Sequence, residues 1–297
     1  MLLDHNEIVT RAGEGNFLVV IMRVSPSELQ SLSQKLRQTI LKMIVAANSG
    51  HPGGSLSAID IILELYLNEM CHDQKNPKKP DRDRFVLSKG HGVPALYAVL
   101  AHCGYFPEKD LASLRKLDSP LQGHPANRLL PSIEASTGSL GQGLSVALGM
   151  ALAARIGHED KPKFHVYAML GDGEVQEGQV WEAAMCAAHY GVNNLIAFID
   201  RNNGQIDGLV DNVMTIEPLE ERWRSFGWHA LTIDGHDFAA IHQACATARA
   251  ERSRPTMIIA KTKKGKGVSF LEADTVAWHG KTLSKEELQK AIDELAE

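Results

Sequence analysis

The sequence predicts an α/β fold, in which a doubly wound and mainly parallel sheet carries helices on both faces. Short apolar runs that suit buried strands alternate with segments of helical periodicity, and short loops separate them. This alternation is typical of parallel strands joined by helical crossovers. The 297 residues, of which 44% are hydrophobic, suffice for a full core, and we expect one domain over residues 25–297.

The first predicted element is a helix that begins at Ser25. Ser25 suits the N-cap, Pro26 suits the first turn, and Glu28 can reach back to the cap. Because the globular pattern starts only here, we expect residues 1–24 to be an amino-terminal extension. Most of that extension is predicted to be dispensable, or an artefact of a misplaced start codon.

The remaining elements are predicted from periodicity and from turn residues. In chain order, the predicted elements are helix 25–47, helix 56–70, strand 84–88, helices 91–102 and 108–116, an irregular loop at 118–139, helix 141–157, strand 164–170, helix 180–190, strand 195–200, helix 217–226, strand 228–233, helix 238–251, strand 256–261 and a capped helix 284–296. The loop at 118–139 holds three prolines, and we expect it to be functional rather than a linker.

Two polar loops follow the strands of the unit at 164–200, and both fall on the carboxyl edge of the sheet. Asp172 offers a hard carboxylate after the first strand, and Asn202 offers an amide oxygen after the second. Neighbouring glycines let the backbone approach a ligand closely. Mg²⁺ prefers a few such oxygens, with the others supplied by phosphates. We therefore predict a metal–diphosphate site, and two ordinary tight turns are the alternative.

Four histidines lie beside glycine in predicted loops. They are His51 in SGHPGGS, His91 in KGHG, His124 in GHP and His279 in WHG. A single histidine in a turn is more often a surface or capping residue. Four of them instead indicate a ligand site, because imidazole donates hydrogen bonds to phosphate and hydroxyl groups and transfers protons near neutral pH.

The segment STGSLGQG, residues 136–143, runs directly into a predicted helix. Unpaired N–H groups at the start of a helix can face an anion or the edge of a heterocycle. A glycine-rich cap without a ligand explains the same residues, and the segment alone does not separate the two interpretations.

The overall charge and the cysteines argue against several classes of protein. A formal net charge of −5 disfavours nucleic acid as the main partner and suits anionic metabolites better. The cysteines Cys71, Cys103, Cys186 and Cys245 are widely spaced, which disfavours a structural zinc site and a disulfide framework. The apolar run at 17–22 is too short to span a membrane and lacks the layout of a signal peptide. We expect a cytoplasmic protein.

Together, the motifs occur in an order that resembles the transketolase family. In chain order, they are SGHPGGS, LSKGHG, GHP, STGSLGQG, GDGEVQEG, FIDRNNGQIDG, KTKKGKGVSF and AWHG. The resemblance covers about residue 29 to the end of the chain. It implies the domain that binds the diphosphate of thiamine diphosphate, with Mg²⁺ at the strand ends and with Ca²⁺ or Mn²⁺ as possible substitutes.

The resemblance also implies roles for individual residues. The metal ligands are the side chains of Asp172 and Asn202 and the carbonyl of Gly204. The cofactor contacts are His91, Gly138, Ser139, Leu140, Gly173, Glu177, Asn202 and His279. The residues that face the sugar, bind its hydroxyls and assist proton transfer are His51, His124 and His279.

Two features matched in this way have a structural alternative. Glu177 matches a buried glutamate that links paired active sites through a carboxylate network, and a structural salt bridge is the alternative. The run from Lys261 to Lys266 either orders a loop over the site or forms a solvated basic loop.

The resemblance further implies a partner. Complete transketolases carry a pyrimidine-binding domain, whose glutamate hydrogen-bonds the aminopyrimidine ring of the cofactor. This sequence stops at Glu297, after a capped helix, and we interpret the end as natural. We therefore expect the amino-terminal subunit of a split transketolase, in a two-plus-two heterotetramer with a carboxy-terminal subunit that supplies the glutamate and most basic residues for the sugar phosphate. Alone, it should bind cofactor weakly.

The expected reaction moves a two-carbon ketol unit from a ketose, often phosphorylated, to an aldose acceptor. The donor is either xylulose 5-phosphate or a specialised catabolic ketose. Two other interpretations are open: a different thiamine-diphosphate enzyme, such as deoxyxylulose-phosphate synthase or a 2-oxoacid dehydrogenase subunit, and a non-catalytic regulatory subunit. The histidine loops and STGSLGQG favour ketol transfer, and the intact Asp172 and Asn202 argue against lost chemistry.

Overall fold

The structure is a computed structural model that describes residues 24–158 and 162–296. All but the last residue of the expected extension at 1–24 lies outside the described residues, so that prediction is not tested. Among the described residues, no helix has both the length and the apolar character needed to cross a membrane.

Strands and helices alternate along the chain, as predicted. The helices are α1 (Pro26–Ala47), α2 (Pro52–Glu64), α3 (Val93–His102), α4 (Gln142–Ala153), α5 (Gly178–His189), α6 (Val210–Val213), α7 (Leu219–Ser225), α8 (Phe238–Ala250), α9 (Ser269–Ala273) and α10 (Lys285–Glu294). The strands are β1 (Arg84–Leu87), β2 (Val166–Gly171), β3 (Leu195–Arg201), β4 (Gly204–Gln205), β5 (Gly208–Leu209), β6 (His229–Asp234) and β7 (Thr256–Lys261).

Five strands form one parallel sheet in the spatial order β1–β2–β3–β7–β6. Alternate residues of a strand point to opposite faces. In β2, Tyr167 and Met169 pack into the core beneath α1, α2, α3 and α8, whereas Ala168 and Leu170 pack beneath α4, α5 and α7. The predicted doubly wound α/β class with helices on both faces is therefore confirmed.

The two predicted helix caps are present. Ser25 and Ser284 each form a capping box, with Glu28 and Glu287 respectively. The predicted strands agree with the structure to within two residues at their ends.

Several predicted boundaries were wrong. The loop at SGHPGGS is shorter than expected, because α2 already begins at Pro52. At its other end, α2 continues into a π-helical turn at Leu65–Glu69. Proline suits the first turn of a helix, and burial of the whole of α2 outweighs the low helix propensity of its two glycines. The helix expected at 108–116 is a short 3-10 helix at Glu108–Ser113, and the one expected at 141–157 ends at Ala153.

Candidate active site

The carboxyl ends of β1, β2, β3 and β7 meet at one edge of the sheet, and the predicted site loops follow them. These loops are 88–92 after β1, 172–173 after β2, 202–204 after β3 and 262–265 after β7. The start of α2 joins this edge, because the Gly265 N–H donates to the Gly53 carbonyl at 3.0 Å. Loops that are distant in the sequence thus form one site.

Asp172 lies against the turn that holds the other predicted metal ligands. One carboxylate oxygen accepts a hydrogen bond from the Asn203 N–H at 2.5 Å, and the other accepts one from the Gly173 N–H at 2.8 Å. Arg201 Nη1 lies 3.3 Å from Asp172 Oδ2. Burial, followed by the nearby Asp200 carboxylate, raises the pKa of Asp172. A buried carboxylate of this kind suits a cation, which would favour its ionised form.

Asp200 fixes the orientation of the Asn202 side chain. Asn202 Nδ2 donates to Asp200 Oδ2 at 3.1 Å, and Asn202 Oδ1 accepts from the Gly204 N–H at 3.1 Å. Asp200 is fully buried and forms an ion pair with the buried ammonium of Lys89. Burial opposes ionisation of Asp200, but Lys89 and the hydrogen bonds outweigh burial and lower its pKa. The amide oxygen of Asn202, a predicted metal ligand, is therefore turned toward Gly204, whose carbonyl is another predicted ligand.

The buried side chain of Lys264 reaches two predicted site residues. Its ammonium donates to the Gly204 carbonyl at 2.7 Å and lies 2.8 Å from His279 Nδ1. Burial, followed by the charge of Lys89, lowers the pKa of Lys264 to about 8. The side chain of Lys263, by contrast, is 63% exposed. Lys264 therefore lies within the candidate site, whereas Lys263 faces solvent.

The four predicted histidines form one cluster. The ring centroid of His51 lies 5.2 Å from that of His91, 6.3 Å from that of His124 and 5.6 Å from that of His279. Burial lowers the pKa of His51 to about 4 and that of His279 to about 3, and it also lowers the pKa values of His91 and His124. At neutral pH each ring is therefore uncharged, with one N–H donor and one acceptor nitrogen.

The loop that contains Gly138 only partly joins this cluster. Gly138 has φ +151°, and a Cβ atom there would lie 3.1 Å from His124 Cδ2. Ser139 and Leu140 are exposed. Gly138 is therefore in place beside the histidines, whereas the two residues after it lie at the surface.

Glu177 is exposed, which differs from the buried glutamate expected at this position. It is the N-cap residue of α5, and the described residues include no salt bridge to it, so the structural alternative is not found either. The short 3-10 turn at Gly173–Gln176 places Glu174, rather than Glu177, in the interior. The Glu174 carboxylate accepts from the Gly141 and Gly171 N–H groups at 2.9 and 3.0 Å.

Three residues of the candidate site were not predicted from the sequence. Lys89 and Asp200 form the buried ion pair, and Lys264 was not separated from its neighbours in the lysine run. A signal existed for Asp200, because a carboxylate at the end of an apolar strand requires a partner when it is buried. The identity of that partner was hidden, since Lys89 is 111 residues away in the chain.

The residues at the sheet edge fit a divalent cation and a cofactor. Carboxylate, amide and carbonyl oxygens from Asp172, Asn202 and Gly204 are the hard ligands that Mg²⁺ prefers. His51 Nδ1 is buried without a hydrogen-bond partner among the described residues. A buried polar atom of this kind suits a bound ligand.

A second group of potential metal ligands lies beneath α8. Oxygen and nitrogen atoms of Glu64, Glu69 and His242 converge there. The Arg249 guanidinium forms an ion pair with Glu69, and the His242 ring contacts both carboxylates. Because both carboxylates already have side-chain partners, we interpret the group as a structural network.

The chain was compared with known protein families. Residues 29–296 match the model described as "Transketolase, thiamine diphosphate binding domain". The chain belongs to the transketolase family. It is a transketolase subunit of the amino-terminal, thiamine-diphosphate-binding type, which confirms the family, the thiamine-diphosphate-binding domain and the subunit type predicted from the motifs.

Two curated relatives are subunits of similar length. The chain is 45% identical over 268 residues to the 6-deoxy-6-sulfo-D-fructose transketolase subunit of Clostridium sp. (strain MSTE9), covering 90% of this chain and 96% of the relative. It is 39% identical over 276 residues to one subunit of the apulose-4-phosphate transketolase of Phocaeicola vulgatus, covering 93% of this chain and 96% of the relative.

Single-chain transketolases are longer than this chain. The chain is 42% identical over 268 residues to the transketolase of Rattus norvegicus, covering 90% of this chain but 42% of the relative. The crystal structure of Campylobacter jejuni transketolase superposes with a TM-score of 0.83 at 34% identity, covering 93% of this chain and 43% of that one. The similarity to these enzymes is therefore confined to less than half of their length.

Proposed function

We propose that this chain, together with a partner subunit, transfers a two-carbon ketol unit from a ketose, often phosphorylated, to an aldose acceptor, with thiamine diphosphate and Mg²⁺. One observation carries the proposal. At a single sheet edge, Asp172 Oδ2 lies 2.5 Å from the backbone nitrogen of Asn203. In the neighbouring cluster, the ring centroids of the other three histidines lie 5.2 to 6.3 Å from the ring centroid of His51. Oxygen ligands for a metal diphosphate and neutral donors for a sugar are thus side by side.

The proposed metal ligands are Asp172, Asn202 and the Gly204 carbonyl. The proposed cofactor contacts are His91, Gly138, Ser139, Leu140, Gly173, Glu177, Asn202 and His279. When bound, the cofactor supplies a thiazolium carbon that acts as a carbanion and an electron sink. The contribution of this chain is to hold that group and to keep its surroundings fixed.

The neutral histidines are proposed to hydrogen-bond the hydroxyls of the sugar and to assist proton transfer. Lys264 donates to Nδ1 of His279, so the proton of that ring lies on Nε2, where it can donate to a substrate hydroxyl. His51 and His124 are proposed to act in the same way. Because burial keeps these rings uncharged, each can donate one hydrogen bond and accept a proton at neutral pH.

The partner is proposed to carry the pyrimidine-binding domain, in a two-plus-two heterotetramer. Leu140, Val146 and Met185 are 37%, 40% and 57% exposed on and beside α4 and α5. They supply apolar surface for a protein contact, and Glu177 is exposed nearby, at the start of α5. Burial of Glu177 by a second subunit is part of this proposal.

The sugar is proposed to belong to the ketose class that the two subunit relatives are named for. A panel of 6-deoxy-6-sulfo-D-fructose, apulose 4-phosphate and xylulose 5-phosphate separates a specialised donor from the common pentose phosphate. The donor with the largest kcat/KM identifies the physiological class.

The test is a reconstitution with the partner subunit. The complex should transfer ketol units and should release heat on titration with thiamine diphosphate and Mg²⁺, whereas this chain alone should turn over little. Asp172→Asn in the complex should abolish cofactor heat. Robust turnover by the chain alone would contradict the split-enzyme proposal, a preference for pyruvate over ketose phosphates would favour another thiamine-diphosphate reaction, and absent heat would indicate a non-catalytic subunit.

A further inference from the structure

We propose that His236, in the loop between β6 and α8, is a positioning residue that fixes the backbone next to Lys264 and thereby holds Lys264 on Gly204 and His279. The role toward catalysis depends on the proposed function, but the structural part does not. His236 lies outside the loops that carry the predicted site residues, and none of its roles was predicted from the sequence.

The hydrogen bonds of His236 define its tautomer. The Lys263 N–H donates to His236 Nε2 at 2.8 Å, so this nitrogen is the acceptor. The proton of a neutral ring must then lie on Nδ1, which donates to Asp60 Oδ2 at 2.7 Å. The side chain of His236 is 12% exposed. The ring therefore links a buried carboxylate to one backbone amide.

Asp60 is held rigidly on the other side of the ring. It is 2% exposed, and Arg37 Nη2 lies 2.6 Å from its Oδ2. The Ser33 hydroxyl donates to its other oxygen. Burial opposes the charge on Asp60, but Arg37 and His236 outweigh burial and lower its pKa to about 2. Helices α1 and α2 thus anchor the carboxylate that orients His236.

The backbone amides on both sides of Lys264 are fixed. The Lys263 N–H is held by His236, and the Gly265 N–H donates to the Gly53 carbonyl at 3.0 Å. Gly265 has φ +79°, a conformation that favours glycine. Between these two points, the Lys264 side chain enters the site and donates to Gly204 at 2.7 Å. If one of these two backbone hydrogen bonds is lost, the backbone at Lys264 can shift, and the hydrogen bond from Lys264 to Gly204 weakens.

Three variants separate positioning from simple stability. His236→Ala removes the acceptor and the donor. His236→Gln retains an amide oxygen that can accept from the Lys263 N–H. His236→Lys supplies a charged donor for Asp60 but no acceptor for the Lys263 N–H. His229→Ala is the matched control, because it removes a histidine at the opposite end of β6.

Hydrogen exchange of the Lys263 amide, measured on the full chain, tests the structural part directly. We expect exchange at least tenfold faster in His236→Ala and His236→Lys, and within threefold of the parent chain in His236→Gln and His229→Ala. A thermal melt of each variant accompanies the measurement. If His236→Lys restores both the melting temperature and the protection of this amide, or if His236→Ala leaves the amide protected, the positioning role is wrong.

Calorimetric titration of thiamine diphosphate into the reconstituted complex tests the consequence for the site. The dissociation constant should rise about tenfold in His236→Ala and His236→Lys, and it should stay within threefold in His236→Gln. Equal affinity in the parent complex and His236→Ala overturns the link to the site. If the parent complex gives no heat while exchange responds as expected, the proposed function fails and the positioning of the loop stands.

Discussion

The buried ion pair between Lys89 and Asp200 makes Asp200→Asn the most informative substitution. Lys89 is 1% exposed and Asp200 is fully buried, so the pair is shielded from water and from salt. The substitution leaves the Lys89 ammonium buried without its counter-ion. Removal of one partner of a buried pair typically costs about 3–5 kcal/mol of unfolding free energy. That loss is a large part of the roughly 5–15 kcal/mol that a domain possesses.

Urea unfolding of this chain measures the effect. The midpoint should fall in Asp200→Asn while the slope with denaturant stays constant, since the surface exposed on unfolding hardly changes. The double variant Lys89→Met with Asp200→Asn removes the orphaned charge and should recover at least half of the loss. The reasoning is refuted if the single variant loses less than about 1 kcal/mol, or if the double variant is less stable than the single one.

The same pair of variants tests the orientation of Asn202. Asp200 Oδ2 accepts from Asn202 Nδ2, so both variants disturb the partner that turns the amide oxygen toward Gly204. Residues that orient metal ligands typically contribute 10–100-fold to metal affinity. We expect the single and the double variant to lose Mg²⁺-dependent cofactor affinity alike, even though their stabilities differ. Recovery of affinity in the double variant would show that stability alone was responsible.

Three further predictions concern the histidine cluster and the loop beside it. His51→Ala should lower kcat/KM for ketol transfer about 100-fold or more. The melting temperature should shift by less than about 2 °C, because His51 Nδ1 has no hydrogen-bond partner among the described residues. A large drop in the melting temperature would instead indicate a structural role. Gly90→Ala should lose about 1–3 kcal/mol in urea unfolding, because the new methyl group would lie 2.8 Å from Thr137 Oγ1. The control Gly149→Ala should lose nothing, since a Cβ atom there meets nothing within 4 Å. Burial lowers the pKa of His51 from 6.5 to about 4, so between these pH values the unfolded chain takes up a proton that the folded chain does not. This contribution to stability should therefore fall as the pH decreases from about 6.5 to 4. Urea unfolding of His51→Ala across this range should show a pH dependence of the unfolding free energy that is smaller by up to one proton, and an unchanged pH dependence would contradict the assignment.

The elements that could be predicted from the sequence depend on short-range patterns. The apolar run of β3 and the capping boxes at Ser25 and Ser284 involve residues at most a few positions apart, and each was located correctly. Helix α2 was placed too late, because Pro52 and the two glycines after it are typical of a loop. Only tertiary packing, which buries every residue from Pro52 to Glu64, makes that segment helical.

The structure brings the predicted loops together at one edge of the sheet, whereas the contacts that support them were not predicted. The motifs located Asp172, Asn202 and the four histidines, because glycine-rich turns after strands mark the carboxyl edge of a parallel sheet. The contacts that orient these groups join residues far apart in the chain: 111 positions separate Lys89 from Asp200, and 60 separate Gly204 from Lys264. No local pattern encodes such pairings. Glu177 is exposed in the single chain, but its predicted burial refers to an assembly, so that prediction is not tested.

The charges at the sheet edge predict that the proposed metal and diphosphate bind together rather than separately. The buried ammonium of Lys264 donates to the Gly204 carbonyl, which is also a proposed metal ligand, and no carboxylate among the described residues forms an ion pair with it. A divalent cation alone would meet this ammonium and be repelled. A diphosphate alone would meet the Asp172 carboxylate, which Arg201 only partly compensates. When both bind, the anion compensates Lys264 and the cation compensates Asp172, so each ligand favours the other by the same coupling free energy.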